Sequence, residues 1–170
     1  NRLQNDKVPV DDILIDPVDY MKKVDHAPHP RIPLPENIFG DRKNSRGIEF
    51  ANSHVSEPLL KSLNAFAAKT YTSAPLINGQ AKTGAVTNVL DPADNRRIIG
   101  SVTYASKEDM AQALHATATA FTAWNKTPAD VRAACLERAA ALMEENMAEL
   151  MALCVREAGK TLGDAVAEIR

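Results

Sequence analysis

The chain has 170 residues, 45% of them hydrophobic and 25% charged, with a net charge of −2. That balance fits one globular domain with a core, or pieces of two. It leaves no electrostatic footprint for nucleic acid or an anionic membrane, and no apolar run approaches the about 18 residues that cross a bilayer. The first residues, NRLQNDKVPVDD, lack both the apolar run of a signal peptide and an initiator methionine. The expectation is an excerpt of a longer polypeptide.

Six of the ten prolines fall within the first 35 residues. DPVDYMKKVD (16–25) predicts a short helix, with Asp16 as cap and Pro17 at the first helical position. Residues 26–47, HAPHPRIPLPENIFGDRKNSRG, have little periodicity, and Pro28, Pro30, Pro33 and Pro35 each remove a backbone donor. They predict an extended linker. Its apolar residues Ile32, Leu34, Ile38 and Phe39 predict that it docks on neighbouring domains rather than floating free.

A helix is expected over 56–69, with Leu59, Leu60, Leu63, Phe66 and Ala67 on one face. APLINGQ predicts a short strand ending in an Asn78-Gly79 turn. AVTNVLDPADNRRIIGSVTYAS (85–106) predicts strand, Asp-Pro turn, strand. From Ser106 the pattern is helical. Ser106 caps a segment with Glu108 and Asp109 in its first turn. Met110, Ala113, Leu114, Thr117, Ala118 and Phe121 form its apolar stripe, with Trp124 near its end. TPAD (127–130) predicts the next start, with Thr127 as cap and Pro128 at the first position. MAELMALCVREA (147–158) is again helical, and a last helix begins at Thr161.

EAGKTLGD (157–164) contains Gly159-Lys160-Thr161, the letters that close a phosphate-binding loop. That loop also needs a glycine five places earlier and a preceding strand. Cys154 stands at that place, and a helix leads in. Gly159 therefore reads as the residue just past a helix end, free to turn left-handed. Cys135 and Cys154 fall in helical patterns and are expected to be small core residues. His26 and His29 lie in a proline-rich stretch without the further ligands a metal site needs. No G-x-S-x-G, H-E-x-x-H, Cys-x-x-Cys or G-x-G-x-x-G occurs. The residues alone support a mostly helical protein with a β-hairpin.

Residues 88–106, NVLDPADNRRIIGSVTYAS, and 120–170, AFTAWNKTPADVRAACLERAAALMEENMAELMALCVREAGKTLGDAVAEIR, resemble the amino-terminal stretch of the aldehyde dehydrogenases. That family reads N-P…v-G-x-v, a helix ending in aromatic-Trp, then R-a-x-x-l, then E-x-G-K-t. The preceding PHPRIPLPENIFGDRKNSRGIEFANSHVSEPLL resembles the joint between the two catalytic domains of the proline utilization A family. In that family a flavin-dependent proline dehydrogenase barrel is fused to an L-glutamate-γ-semialdehyde dehydrogenase. VREAGKTLGDAVAEIR is closer to that dehydrogenase half than to aldehyde dehydrogenases at large.

The resemblance implies an α+β excerpt of an α/β enzyme. An extended linker and a β-hairpin-like region would precede packed helices of the NAD-binding domain. Residues 1–70 would be the end of the proline dehydrogenase region and the linker, and 71–170 the start of the aldehyde dehydrogenase domain. Asn1-Arg2 would lie just beyond the helix that closes the flavin site. The parent would use FAD to oxidise proline and NAD to oxidise glutamate semialdehyde, through attack of a Cys thiolate on the aldehyde. The family's catalytic Cys, base Glu, NAD-binding turns and flavin contacts match nothing in these residues. Neither active site would be complete, and no cofactor is expected on this stretch alone. The parent's setting would be cytoplasmic, with contact to the inner membrane, oligomeric state and an added DNA-binding domain left open. Its partners are proline, glutamate semialdehyde and the remainder of the parent chain.

One substrate contact follows from the same resemblance. Leu162, Ala165 and Ile169 supply an apolar helix face, and Glu168 lies beside it. The matching A-E-I glutamate of the glutamate-semialdehyde dehydrogenases sits near the substrate's α-amino group. Two other readings stand beside the fusion. An unfused aldehyde dehydrogenase accounts for 75–170 but not for the proline-rich first half. A non-catalytic helical interaction module would use Met143, Met147 and Met151 as a partner face, although Met at helical spacing is more often core filling.

Overall fold

The structure is a computed structural model that describes residues 4–24 and 29–170. Asn1-Arg2, His26 and Pro28 lie outside the described residues. The chain forms two compact units, Asn1–Arg46 and Gly47–Arg170.

In the first unit, α1 (Val10–Ile13) is a single turn. Helix α2 (Pro17–Lys22) starts as the sequence predicts: the Asp16 side chain accepts from the amides of Val18 and Asp19, and Pro17 opens the helix. The proline-rich segment is less extended than expected. It makes a 3-10 turn at Pro35–Asn37. Asn44 then folds the chain back, donating from its amide to the Glu36 carbonyl at 3.0 Å and from Nδ2 to that of Pro35 at 3.2 Å. Ile32, Leu34, Ile38 and Phe39 are exposed within this unit, and the Arg42 guanidinium lies 4.1 Å from the Phe39 ring centroid.

The second unit begins with α3 (Ser53–Ala65), which starts three residues earlier than predicted because Asn52 caps it, accepting from the His54 amide. Two small sheets follow. Strands β2 (Leu76–Ile77) and β3 (Gln80–Ala81) form the expected hairpin, and Asn78 and Gly79 both take positive φ, 51° and 75°. That pair of conformations is the mirror-image turn that Asn-Gly favours. Strands β4 (Val86–Asp91) and β5 (Asp94–Thr103) form the second hairpin. Asp91 is buried at its turn, accepting from the Ala93 amide at 2.9 Å and from Arg97 at 3.1 Å. Strand β1 (Tyr71–Ser73) adds to β5 in parallel, giving the order β1-β5-β4. A Cβ at Gly100 would fall on the Tyr71 carbonyl oxygen, so this pairing needs glycine there.

Four helices complete the unit: α4 (Lys107–Lys126), α5 (Ala129–Glu145), α6 (Met147–Ala158) and α7 (Leu162–Ile169). The core lies among α3, α6 and α7. Leu63, Met151, Ala152, Ala165, Val166 and Ile169 are buried together, with Met147 and Leu150 packed against them. Of the methionine stripe, Met151 is thus core, while Met143 is exposed. Arg156 fastens α6 to the end of α3, donating to the carbonyls of Phe66 at 3.1 Å and Lys69 at 2.6 Å. An ion pair between Lys69 and Glu149 reinforces that join.

Three sequence expectations need correction. Thr127 does not cap α5. Pro128 itself takes the extended cap position, with ψ 144°, so the helix starts at Ala129 and the Thr127 side chain stands one residue too early to cap it. The Thr127 hydroxyl instead donates backwards to the Ala123 carbonyl at 3.2 Å. Cys135 is exposed rather than core, whereas Cys154 is half-buried and packs against the core as expected. The stripe on α4 is largely uncovered as well: Met110, Leu114, Thr117, Ala118, Phe121 and Trp124 are exposed, and Ala113 is half-buried. No helix among the described residues is long and apolar enough to cross a membrane.

Candidate functional site

The junction between α6 and α7 gathers the residues of interest. Gly159 ends α6 in the left-handed conformation, φ 63°. Its amide donates to the Val155 carbonyl at 3.1 Å, and that of Lys160 to the Cys154 carbonyl at 3.4 Å. Both amides are turned back onto the preceding helix and point at no cradle. Thr161 then caps α7, accepting from the Asp164 amide at 3.2 Å while its hydroxyl donates to the Asp164 carboxylate at 2.7 Å. That carboxylate occupies the place where a phosphate would need positive potential. Gly159-Lys160-Thr161 is therefore a helix-to-helix joint.

Helix α7 buries Ala165 and Ile169 of the predicted face, with Val166 buried beside them and Leu162 half-buried. Glu168 lies at the border of that face, its side chain 55% exposed. Its Oε1 accepts from Lys160 Nζ at 2.6 Å. The hydrogen bond to Glu168 holds the Lys160 ammonium above its ordinary range, against partial desolvation. This pairing is not legible in the sequence, because residues eight apart across a helix start obey no spacing rule.

The connection from β5 into α4 does not fit a dinucleotide. A dinucleotide-binding turn leads from a strand into an open helix N-terminus through glycines. The connection from β5 into α4 contains none. Ser106 and Asp109 fill the first turn of α4 reciprocally, each accepting from the other's amide at 3.0 Å. A separate cavity of about 420 Å³ lies between the sheet and α6, lined by Tyr71, Ser101, Tyr104, Leu153 and Glu157 among others.

Hairpins feeding a helical layer, joined through this Gly-Lys-Thr corner, define the amino-terminal portion of an aldehyde dehydrogenase fold. The chain belongs to the aldehyde dehydrogenase family, which matches residues 79–170, more than half its length. It is similar over its whole length to the bifunctional protein PutA of Klebsiella aerogenes, 38% identical over 177 aligned residues that make up 14% of that protein. It is also 38% identical to 1-pyrroline-5-carboxylate dehydrogenase 2 of Bacillus subtilis, over 79% of this chain and 24% of that one. Among solved structures, proline utilization A from Bdellovibrio bacteriovorus superposes with a TM-score of 0.70 at 29% identity, covering 82% of this chain and 14% of its own. The chain thus spans about a seventh of the length of the bifunctional relatives. The resemblance expected from the linker and from the E-A-G-K-T corner is borne out, and so is the α+β excerpt of an aldehyde dehydrogenase fold.

Proposed function

We propose that this chain is the joint of a bifunctional proline-catabolic enzyme that oxidises proline to glutamate. Residues 1–70 would close the proline dehydrogenase region and link it to the dehydrogenase domain that begins near residue 71. The observation that carries this reading is coverage. The bifunctional relative aligns with the whole chain, whereas the unfused dehydrogenase aligns with 79% of it. In the parent, FAD would accept the electrons of proline, and NAD the hydride of glutamate semialdehyde. We assign the binding of both groups to other parts of the polypeptide. The work of these residues is mechanical: to set the spacing of two domains and to build one flank of the aldehyde site. A cytoplasmic setting follows from the same reading.

The contact we assign to that flank is Glu168, facing the α-amino group of glutamate semialdehyde. A charge-assisted hydrogen bond there contributes about 1.5–3 kcal/mol, or roughly ten- to a hundredfold in affinity. The exposure of Glu168 favours the lower end, about tenfold. The amino group lies away from the reacting carbon, so the effect falls on KM and spares kcat. The experiment is Glu168→Ala in the full-length enzyme. Glutamate semialdehyde is compared with glutaric semialdehyde, which has the same length and no amino group. A raised KM for the first alone is expected; equal losses on both, or none, refute the contact.

A further inference from the structure

The geometry points to Lys160 as the positioning residue for Glu168, and so to Gly159-Lys160-Thr161 as a support for substrate recognition. This inference rests on the reading of Glu168 as the amino-group contact. Glu168 stands one residue before the end of a helix of eight residues, with its side chain more than half exposed. A glutamate so placed samples several rotamers, and fixing one on binding would be charged to the substrate's affinity. The structure restrains that freedom beforehand. Lys160 Nζ holds Oε1 at 2.6 Å and leaves Oε2 for a second donor.

The lysine is a fixed anchor because its own backbone is held from both sides. Gly159 in the left-handed conformation and the Lys160 amide bond to Cys154 end α6, and the Thr161 cap begins α7 one residue later. The three residues divide the work: Gly159 turns the chain, Lys160 reaches forward to Glu168, and Thr161 starts the helix that carries Glu168.

Lys160 also opposes the incoming ammonium by its charge. Its side chain is one-third exposed and its strongly hydrated head is screened, so that repulsion is weak. Ordering of the carboxylate is the larger effect, and it sets the sign of the prediction.

The test is made in the full-length enzyme with glutamate semialdehyde and glutaric semialdehyde. Lys160→Met should raise KM for glutamate semialdehyde about three- to tenfold, the range of ordering one long side chain, with kcat within about twofold. KM for glutaric semialdehyde should not change. Lys160→Arg, which keeps a charged donor, should restore KM to within about twofold of wild type. In a Glu168→Gln background, Lys160→Met should have almost no further effect. Should Lys160→Met fail to accumulate as folded enzyme, Lys160→Gln, whose neutral donor stops one bond short of the place of Nζ, carries the same expectation. A lower KM would mean that Lys160 acts as a competitor for the carboxylate, and would overturn the positioning role. So would an equal effect in the Glu168→Gln background. If Glu168→Gln itself leaves KM unchanged, the reading of Glu168 as the contact falls. If Glu168→Gln raises KM and Lys160→Met does not, only the inference about Lys160 falls.

Discussion

Replacing Gly159 with alanine tests whether the turn after α6 is the reason for glycine in this motif. At φ 63° an L-residue brings its Cβ close to the following carbonyl, at a cost of about 1–2 kcal/mol. Alanine also restricts the unfolded chain, which offsets about 0.4–1 kcal/mol. A third effect is specific to this fold. The new Cβ would stand 3.2 Å from Cγ of Pro92, so the β4–β5 turn must give by a few tenths of an ångström. The net expectation is a loss of about 1 kcal/mol. With a urea slope of about 2 kcal/mol per molar, that is a midpoint shift of about 0.5 M at unchanged slope. The assay is urea unfolding of the chain followed by circular dichroism. Gly159→Asn, which tolerates the left-handed region, should lose less than half as much. Pairing Gly159→Ala with Pro92→Ala should cost less than the sum of the two, because the crowded Cγ is gone. An unchanged midpoint for Gly159→Ala would refute both the strain and the contact.

Ser106→Ala should cost about 1 kcal/mol, since it removes a cap that satisfies a first-turn donor of α4. Thr127→Ala should cost less, about a few tenths, since its hydroxyl serves only the Ala123 carbonyl in the exposed last turn of α4, where water can take its place; urea midpoints in the reverse order would contradict the two assignments. Acid should also act on the Ser106 cap. Hydrogen bonds from the Ser106 amide and hydroxyl, aided by the charge of Lys82, hold the Asp109 carboxyl below its ordinary 3.8. A depressed folded value means that this stabilisation is complete above 3.8 and is lost as pH falls through the folded value. Unfolding midpoints measured from neutral pH down to about pH 2 should therefore fall less steeply for Asp109→Asn than for wild type; parallel acid slopes would show that Asp109 contributes nothing.

The elements legible from sequence are those whose signal is local. Asp16, Ser106 and Thr161 each cap the helix expected of them, because a cap needs only a short polar side chain and an amide two or three residues ahead. Asn78-Gly79 and Asp91-Pro92 turn where expected for the same reason. The failures share a different cause. Strand β1 has three residues and owes its existence to β5, about thirty positions away, and to the missing side chain at Gly100. Thr127 is ambiguous because two neighbouring helices compete for one hydroxyl, and nothing in TPAD says which is nearer. On α4 the periodic apolar face is real but its burial is not, since burial depends on what covers a helix.

The corner at residues 157–161 shows how far letters alone can carry a site. Gly-Lys-Thr occurs where a phosphate is cradled and also where two helices meet, and the difference lies in where the amides point. In a cradle they converge on an empty place; here those of Gly159 and Lys160 return to α6. The helical spacing before Gly159 is enough to decide between the two, because a chain leaving a helix must spend its first free amides on that helix's last carbonyls. What spacing cannot supply is the direction of the Lys160 side chain. Once the backbone amides are committed, the ammonium is the one part of the motif left to reach outward. It reaches along α7 to the carboxylate that the apolar face of that helix keeps at its border. The same three residues therefore end one helix, begin the next, and fix the side chain that we assign to the substrate, which gives each of them a reason that phosphate binding does not.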